Sequence, residues 1–177
     1  MSGIEALYWA QQYPDEVLAI IGLDMAVPQA YEDYRINTAR IKLSAFAVNT
    51  GIARWFPSLA ESDAVKYGTL SDREKEIYTA VFYRRMITAD MFNEITEIKT
   101  NARYTASGGI PDIPFLMFVS NGIGTGLAEA EWRGFQSDFI NSIQNGTLAE
   151  LDCSHYLHNI ESKAIAHSIN QWLQGFE

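Results

Sequence analysis

A carboxylate and a pair of imidazoles are the side chains of this sequence best suited to chemistry. Asp24 directly follows the apolar run of residues 17–23, and His155 and His158 follow a short run at residues 147–152. Apolar runs bounded by turn residues predict buried strands. Open parallel sheets bind their ligands at the carboxyl ends of the strands, which makes Asp24 a candidate functional residue. A lone aspartate after a strand is also a common turn former, and that alternative stays open.

Metal and phosphate sites are the other chemistry that these residue types suggest. A His-x-x-His pair can belong to a metal site, but zinc needs three or four protein ligands and no third ligand stands near His155 and His158 in the sequence. The glycines at 122, 124 and 126 have neither the spacing nor the lysine of a phosphate-binding loop. We therefore predict no metal and no cofactor.

Helical and strand patterns alternate around the candidate residues. Apolar residues at helical spacing begin at Ile4, and Pro14 stops that helix before the first strand. The later elements follow as a strand at 114–120, a helix at 129–143, a strand at 147–152 and a helix at 163–173. This order predicts an α/β fold with three mostly parallel strands and flanking helices.

The middle of the chain has a different pattern. Residues 29–107 carry helical spacing and no convincing strand, and Ser71 with Glu74 forms a capping-box pattern at a helix start. We predict that residues 1–28 and 108–177 form one α/β unit and that residues 29–107 form a helical insertion.

The composition excludes several classes of partner. Its 47% hydrophobic and 20% charged residues are typical of a globular protein, and the 177 residues suffice for a sizeable core. The net charge of −9 argues against nucleic acids and anionic membranes as partners. Cys153 is the single cysteine, which excludes an internal disulfide and favours a reducing cytoplasm. No apolar run approaches membrane-spanning length.

Both ends of the sequence resemble the α/β-hydrolase family. The opening Met1-Ser2-Gly3, followed by the helix pattern Glu-Ala-Leu-Tyr-Trp-Ala and a Tyr-Pro stop, is similar to the segment after the nucleophile elbow. Cys153-Ser-His-Tyr-Leu-His resembles the segment that carries the family's catalytic histidine, with Ser154 in place of the usual glycine. The chain is therefore expected to be the C-terminal portion of an α/β-hydrolase, with residues 29–107 as its cap domain.

The resemblance implies a role for each candidate. His155 would be the general base and His158 would match a second, variable histidine. Asn121 stands where the family often has its acidic residue, so the acid would come from Asp24, as in members that use the preceding strand. The backbone N–H of Met1 would donate to the oxyanion. The implied substrate is a small ester-like molecule, hydrolysed through a Ser-His-Asp triad.

The nucleophile of that triad falls one position before Met1 in this alignment. Ser2 is the alternative, but the residue two positions after the nucleophile must be small, and for Ser2 that residue would be Ile4. We therefore interpret Ser2 as the small residue or N-cap that opens the helix. The chain alone is expected to be inactive.

Two further expectations concern assembly. A three-stranded remainder of a larger sheet would expose an unpaired strand edge. We therefore expect a homo-oligomer, or a complementing N-terminal half supplied as a separate chain. The competing class is a non-catalytic remnant or a misassigned start, acting as a binding or self-assembling module.

Overall fold

The computed structural model describes residues 1–176. Its α-helices and β-strands, in chain order, are α1 (Ser2–Gln12), β1 (Ile20–Leu23), α2 (Thr38–Asn49), α3 (Asp63–Lys66), α4 (Asp72–Arg85), α5 (Ala89–Ser107), β2 (Phe115–Val119), α6 (Glu129–Asn141), β3 (Gly146–Glu150) and α7 (Ser162–Leu173). Short 3₁₀ turns occupy Pro14–Glu16, Pro28–Tyr31, Ile52–Trp55, Pro57–Ala60, Leu157–Asn159 and Gln174–Phe176. No helix within residues 1–176 combines the length and apolar character needed to cross a membrane.

The three strands form one parallel sheet in the order β1-β2-β3. The ladder continues beyond the strands, because the Asp24 N–H donates to the Phe118 carbonyl at 2.8 Å and the Leu151 N–H donates to the Val119 carbonyl at 2.8 Å. All three carboxyl ends therefore lie at one rim of the sheet. The predicted α/β fold with parallel strands and flanking helices is confirmed.

The central strand separates two apolar clusters. Phe115, Met117 and Val119 belong to a cluster that also contains residues of α1 and α6, whereas Leu116 and Phe118 belong to a cluster with Ile165 of α7. Successive side chains of a strand point to opposite faces of the sheet, so helices cover both faces of β2. All five residues of β2 are buried, as the continuous apolar run predicts.

The first strand departs from the prediction. Of the run at 17–23, only Ile20–Leu23 forms β1, and Leu23 is exposed by 40% rather than covered on both faces. Within residues 1–176, β1 pairs with β2 alone. The prediction took this run to be a strand buried on both faces. An apolar run does not by itself specify whether a strand is central or at an edge of the sheet.

Helix α1 begins against the segment that follows β1. Gly3 lies so close to Ala26 that a Cβ atom on Gly3 would meet the Ala26 carbonyl oxygen at 2.6 Å. The N-cap is Met1 and Ser2 is the first helical residue, so the N-cap alternative for Ser2 is wrong and its interpretation as a small opening residue remains. Glycine at position 3 thus permits the close approach of helix and sheet end.

One predicted helix end is also wrong. Asparagine and glycine favour the left-handed conformation of a helix cap, so the Asn145-Gly146 pair predicts the end of the helix at 129–143. In the structure α6 ends at Asn141 and Gly146 begins β3. A Cβ on Gly146 would lie 2.8 Å from the Ile140 carbonyl oxygen, so the glycine serves a close approach here.

The chain divides into two compact units. One comprises residues 1–34 together with the chain from residue 99 onward, and the other comprises residues 35–98. Both predicted boundaries, after residue 28 and before residue 108, lie within the first unit. The cap role of residues 29–107 stays a prediction.

The second unit is helical, as its sequence pattern indicates. Helix α4 begins with the predicted capping box, in which the Ser71 side chain accepts from the Glu74 N–H and the Glu74 carboxylate accepts from the Ser71 N–H. The apolar spacing from Tyr31 to Val48 predicts a helix over those residues. Helix α2 starts instead at Thr38, because Asn37 caps it by accepting from the Arg40 N–H at 2.9 Å.

Candidate functional site

The structure brings Asp24 and His155 together at the rim of the sheet. Asp24 directly follows β1, and His155 lies in the segment after β3. The Nδ1 atom of His155 is 2.6 Å from Oδ2 of Asp24. The Asp24 side chain is fully buried, whereas the His155 side chain is 31% exposed. A buried carboxylate thus faces one nitrogen of an imidazole that solvent can reach.

The backbone of Asp24 adopts an uncommon conformation. Its φ of 53° lies in the left-handed region, which aspartate tolerates better than most residues because its short side chain bonds locally. The Asp24 backbone N–H makes the last hydrogen bond of β1 to β2, with the Phe118 carbonyl. The turn at Asp24 then directs its carboxylate to the Ser120 N–H at the end of β2. The turn-forming role of Asp24 and its contact with His155 are therefore both present.

Three further hydrogen bonds reach the Asp24 carboxylate. Ser120, which follows β2, donates its N–H to Oδ1 at 2.7 Å and its O–H to Oδ2 at 2.7 Å. Trp132, on α6, donates its indole N–H to Oδ1 at 2.9 Å. Ser120 and Trp132 are both buried, so each donor is fixed by packing.

These contacts decide the charge on Asp24. Burial raises the pKa of the Asp24 carboxyl, because it disfavours the ionised form. The hydrogen bond with His155, the two from Ser120 and the one from Trp132 outweigh that effect and hold the pKa below its ordinary value. Asp24 is therefore an anion at neutral pH.

The glycine-containing loop after β2 supports the imidazole. The backbone N–H of His155 donates to the Ile123 carbonyl at 2.8 Å. A Cβ on Gly124 would lie 3.4 Å from the His155 Cβ. Gly124 has a φ of 97°, a conformation that favours glycine. The loop that matched no phosphate-binding pattern thus contacts the histidine.

The other predicted site residues occupy different elements and loops. Met1 is exposed at the N-cap of α1, and His158 is exposed in the turn Leu157–Asn159. Asn121 donates to the Asp152 carboxylate at 3.2 Å. The role of Met1 as an oxyanion donor stays a prediction. Among the residues that the structure describes, no group of three or more His, Cys, Asp and Glu side chains could hold a metal ion.

Sequence reasoning missed Ser120 and Trp132 as partners of Asp24. The helical spacing of Trp132, Phe135, Phe139 and Ile143 predicts only that these side chains form a buried stripe. Ser120 is predicted only as the end of the strand at 114–120. A signal did exist, because a buried indole N–H and a buried carboxylate each require a hydrogen-bond partner. Nothing in the sequence pairs these particular side chains.

The arrangement can move a proton. A carboxylate that accepts from Nδ1–H fixes the imidazole tautomer in which Nε2 is the proton acceptor. It also stabilises the imidazolium that forms when Nε2 takes a proton. The pair therefore has the geometry of a general base with its orienting acid.

Comparison with known proteins gives a match of partial length. YbdG, an uncharacterised protein of Bacillus subtilis (strain 168), is 39% identical to this chain over 105 residues. The match covers 57% of this chain and 32% of YbdG, so it spans about a third of the length of that relative. No protein-family model matches the chain.

Proposed function

We propose that this chain carries the general base and the orienting acid of a serine hydrolase of the α/β-hydrolase type. His155 is the base and Asp24 is the acid. The observation that carries the proposal is the 2.6 Å contact between a buried, ionised Asp24 and a partly exposed His155. Its position at the carboxyl rim of a parallel sheet, where α/β folds hold their ligands, adds support.

In the proposed reaction, His155 Nε2 removes the proton from a serine hydroxyl as the oxygen attacks the carbonyl carbon of a small ester. Asp24 keeps the proton of Nδ1 in place and stabilises the imidazolium. The ester C–O bond then breaks as His155 returns the proton to the leaving alcohol, and the acyl group stays on the serine. A water molecule, deprotonated by His155, attacks this acyl-serine, and the serine leaves with the proton as the acid is released. The substrate class rests on the family resemblance.

The nucleophile is proposed to precede Met1. The close contact of Gly3 with the Ala26 carbonyl supports this, because it holds the start of α1 against the segment that follows Asp24. A serine there would be near the rim that carries Asp24 and His155. The backbone N–H of Met1, at the N-terminus of a helix, is the proposed oxyanion donor. Residues 29–107 are the proposed cap. The cytoplasm is the proposed compartment, in keeping with a sequence whose single cysteine, Cys153, is buried.

An esterase assay tests the proposal. The 177-residue chain should not hydrolyse p-nitrophenyl acetate faster than free imidazole does. A polypeptide that adds the coding sequence upstream of Met1 should turn the ester over. His155→Ala in that polypeptide should reduce kcat/KM by about 10³-fold or more. Turnover by the 177-residue chain that Ser2→Ala abolishes would instead make Ser2 the nucleophile. An extended polypeptide without activity would contradict the hydrolase.

A non-catalytic assembly module is the second candidate. The observation that favours it is the outer edge of β1, which pairs with no other strand within residues 1–176. Leu18, which precedes β1, is exposed by 75%, and Leu23, its last residue, is exposed by 40%. A second copy of the chain, or a complementing N-terminal half, would cover this edge. Self-association without esterase activity in any extended form would favour this candidate.

A further inference from the structure

Helix α6 contacts the ends of all three strands through two successive residues. The indole N–H of Trp132 donates a hydrogen bond to Asp24, which follows β1. The guanidinium of Arg133 donates to the Ser120 carbonyl at 3.2 Å and to the Leu151 carbonyl at 3.3 Å, at the ends of β2 and β3. Glu150 fixes the same guanidinium through a 2.6 Å ion pair. The first turns of α6 therefore hold the sheet rim at which the Asp24–His155 pair lies.

Trp132 contacts both members of the pair. Its indole N–H is bonded to Oδ1 of Asp24, and its ring meets the His155 ring edge to face, with centroids 6.0 Å apart at 86°. Trp132 is only 3% exposed. Gly122, which has a φ of 79°, allows the close approach behind it, since a Cβ there would lie 3.2 Å from the Trp132 Cβ.

The carboxylate of Asp24 has its full set of hydrogen-bond donors. Oδ1 accepts from the Ser120 N–H and the Trp132 indole, and Oδ2 accepts from the Ser120 hydroxyl and faces His155 Nδ1. An ionised carboxylate offers about four lone-pair positions on two oxygens. With all of them used, the carboxylate can neither rotate nor accept a proton without losing a partner. The Ser120 hydroxyl is itself fixed, because it accepts from the Gly122 N–H at 3.0 Å.

We propose that Trp132 is a positioning residue, which fixes the Asp24 carboxylate and the His155 imidazole in one relative orientation. Its indole N–H fixes the orientation of the Asp24 carboxylate, and its ring fixes the plane of the His155 imidazole. The catalytic consequence rests on the proposed function, but the coupling of the three side chains does not. Ser120 completes the same arrangement from the end of β2, and Arg133 holds the Ser120 carbonyl in place.

The coupling can be measured in the chain itself by NMR, without turnover. The sequence has four tryptophans, Trp9, Trp55, Trp132 and Trp172, so their indole N–H signals can be assigned one by one. In the unmodified chain the Trp132 indole signal should shift with pH at the same midpoint as the Asp24 carboxyl carbon. Asp24→Asn should move the Trp132 signal and leave the other three in place. An indole signal that follows neither change would overturn the proposal.

Trp132→Phe removes the N–H and keeps an aromatic ring. We expect the Asp24 midpoint to rise by about one pH unit, a tenfold change in its ionisation equilibrium. The His155 Nδ1–H signal should also broaden, because the imidazole loses its fixed orientation. The matched control is Trp172→Phe, since Trp172 packs on the cluster at the other face of the sheet. Equal effects of the two substitutions would overturn the proposal. If Trp132→Phe fails to fold, the pH titration of the unmodified chain still decides.

The two proposals can fail separately. A Trp132–Asp24–His155 coupling in the NMR data, with no ester hydrolysis by the extended polypeptide, would leave the positioning inference standing and reject the hydrolase. In an active extended polypeptide, Trp132→Phe should lower kcat at least tenfold with little change in KM, because it disturbs the proton-transferring pair and not substrate binding. An unchanged kcat would reject the positioning role alone.

Discussion

Asp24 and His155 are 131 positions apart in the chain, yet Oδ2 of Asp24 lies 2.6 Å from Nδ1 of His155. The contact forms because β1 and β3 flank β2 in a parallel sheet, so that the segments after all three strands meet at one rim. Ser120, at the end of the strand between them, donates two hydrogen bonds to Asp24. The stability of the rim should therefore depend on these contacts.

The charge of Asp24 should be important for stability. Asp24→Asn keeps a residue that tolerates the positive φ but removes the anion that accepts from Ser120 and Trp132. We expect the free energy of unfolding to fall by about 1.5–3 kcal/mol, the usual range for hydrogen bonds to charged groups. Urea unfolding at pH 7 measures this. Asp15→Asn, in the exposed turn Pro14–Glu16, is the control and should change little. Equal stability of the two variants would contradict the prediction.

The same carboxylate should make stability depend on pH. The pKa of Asp24 is lower in the folded chain than its ordinary value of about 3.8. Its contribution is therefore fully present above that ordinary value, and it is lost as the pH falls through the lower folded value. The difference in unfolding free energy between the unmodified chain and Asp24→Asn should shrink as the pH falls below 4. A difference that grows below pH 4 would have the wrong sign.

Two glycines should respond oppositely to substitution by alanine. Gly3→Ala places a methyl group 2.6 Å from the Ala26 carbonyl oxygen, and we expect a loss of about 1–3 kcal/mol of stability from the forced shift. Gly134 lies within α6, and a Cβ there would meet nothing within 4 Å beyond the backbone of its own helix. Gly134→Ala should therefore add about 0.5–1 kcal/mol through helix propensity. Thermal unfolding of both variants checks the signs. A neutral Gly3→Ala would mean that α1 does not need this close approach to the end of β1.

The outer edge of β1 should mediate self-association. We expect sedimentation velocity to show species larger than the monomer, because the edge carries unpaired backbone groups within the described chain and exposed apolar side chains. Leu18→Lys adds a charge beside that edge and should shift the distribution to monomer. Leu43→Lys is the control, since Leu43 is exposed by 69% on α2. Helix α2 belongs to the unit of residues 35–98, whereas β1 belongs to the other unit. A clean monomer for the unmodified chain would contradict the prediction.

Local signals in the sequence predicted most of the elements. The apolar run at 114–120 corresponds to β2, and the Ser71–Glu74 capping box opens α4 as expected, because both depend on residues near one another in the chain. The α1 pattern likewise buries Ile4 and Leu7. The same reasoning overextended β1 and α2, whose first residues depend on pairing and capping partners that periodicity does not register.

The candidate site divides in the same way. The sequence by itself determined that a carboxylate follows a strand at Asp24 and that an imidazole follows a later strand at His155. Only the tertiary structure decided that the two touch, and that Ser120 and Trp132 share the carboxylate. The physical reason is that periodicity reports which face of an element is buried, whereas a buried hydrogen bond is chosen among groups far apart in the chain. That choice exists only once the strands are side by side and α6 is packed on them.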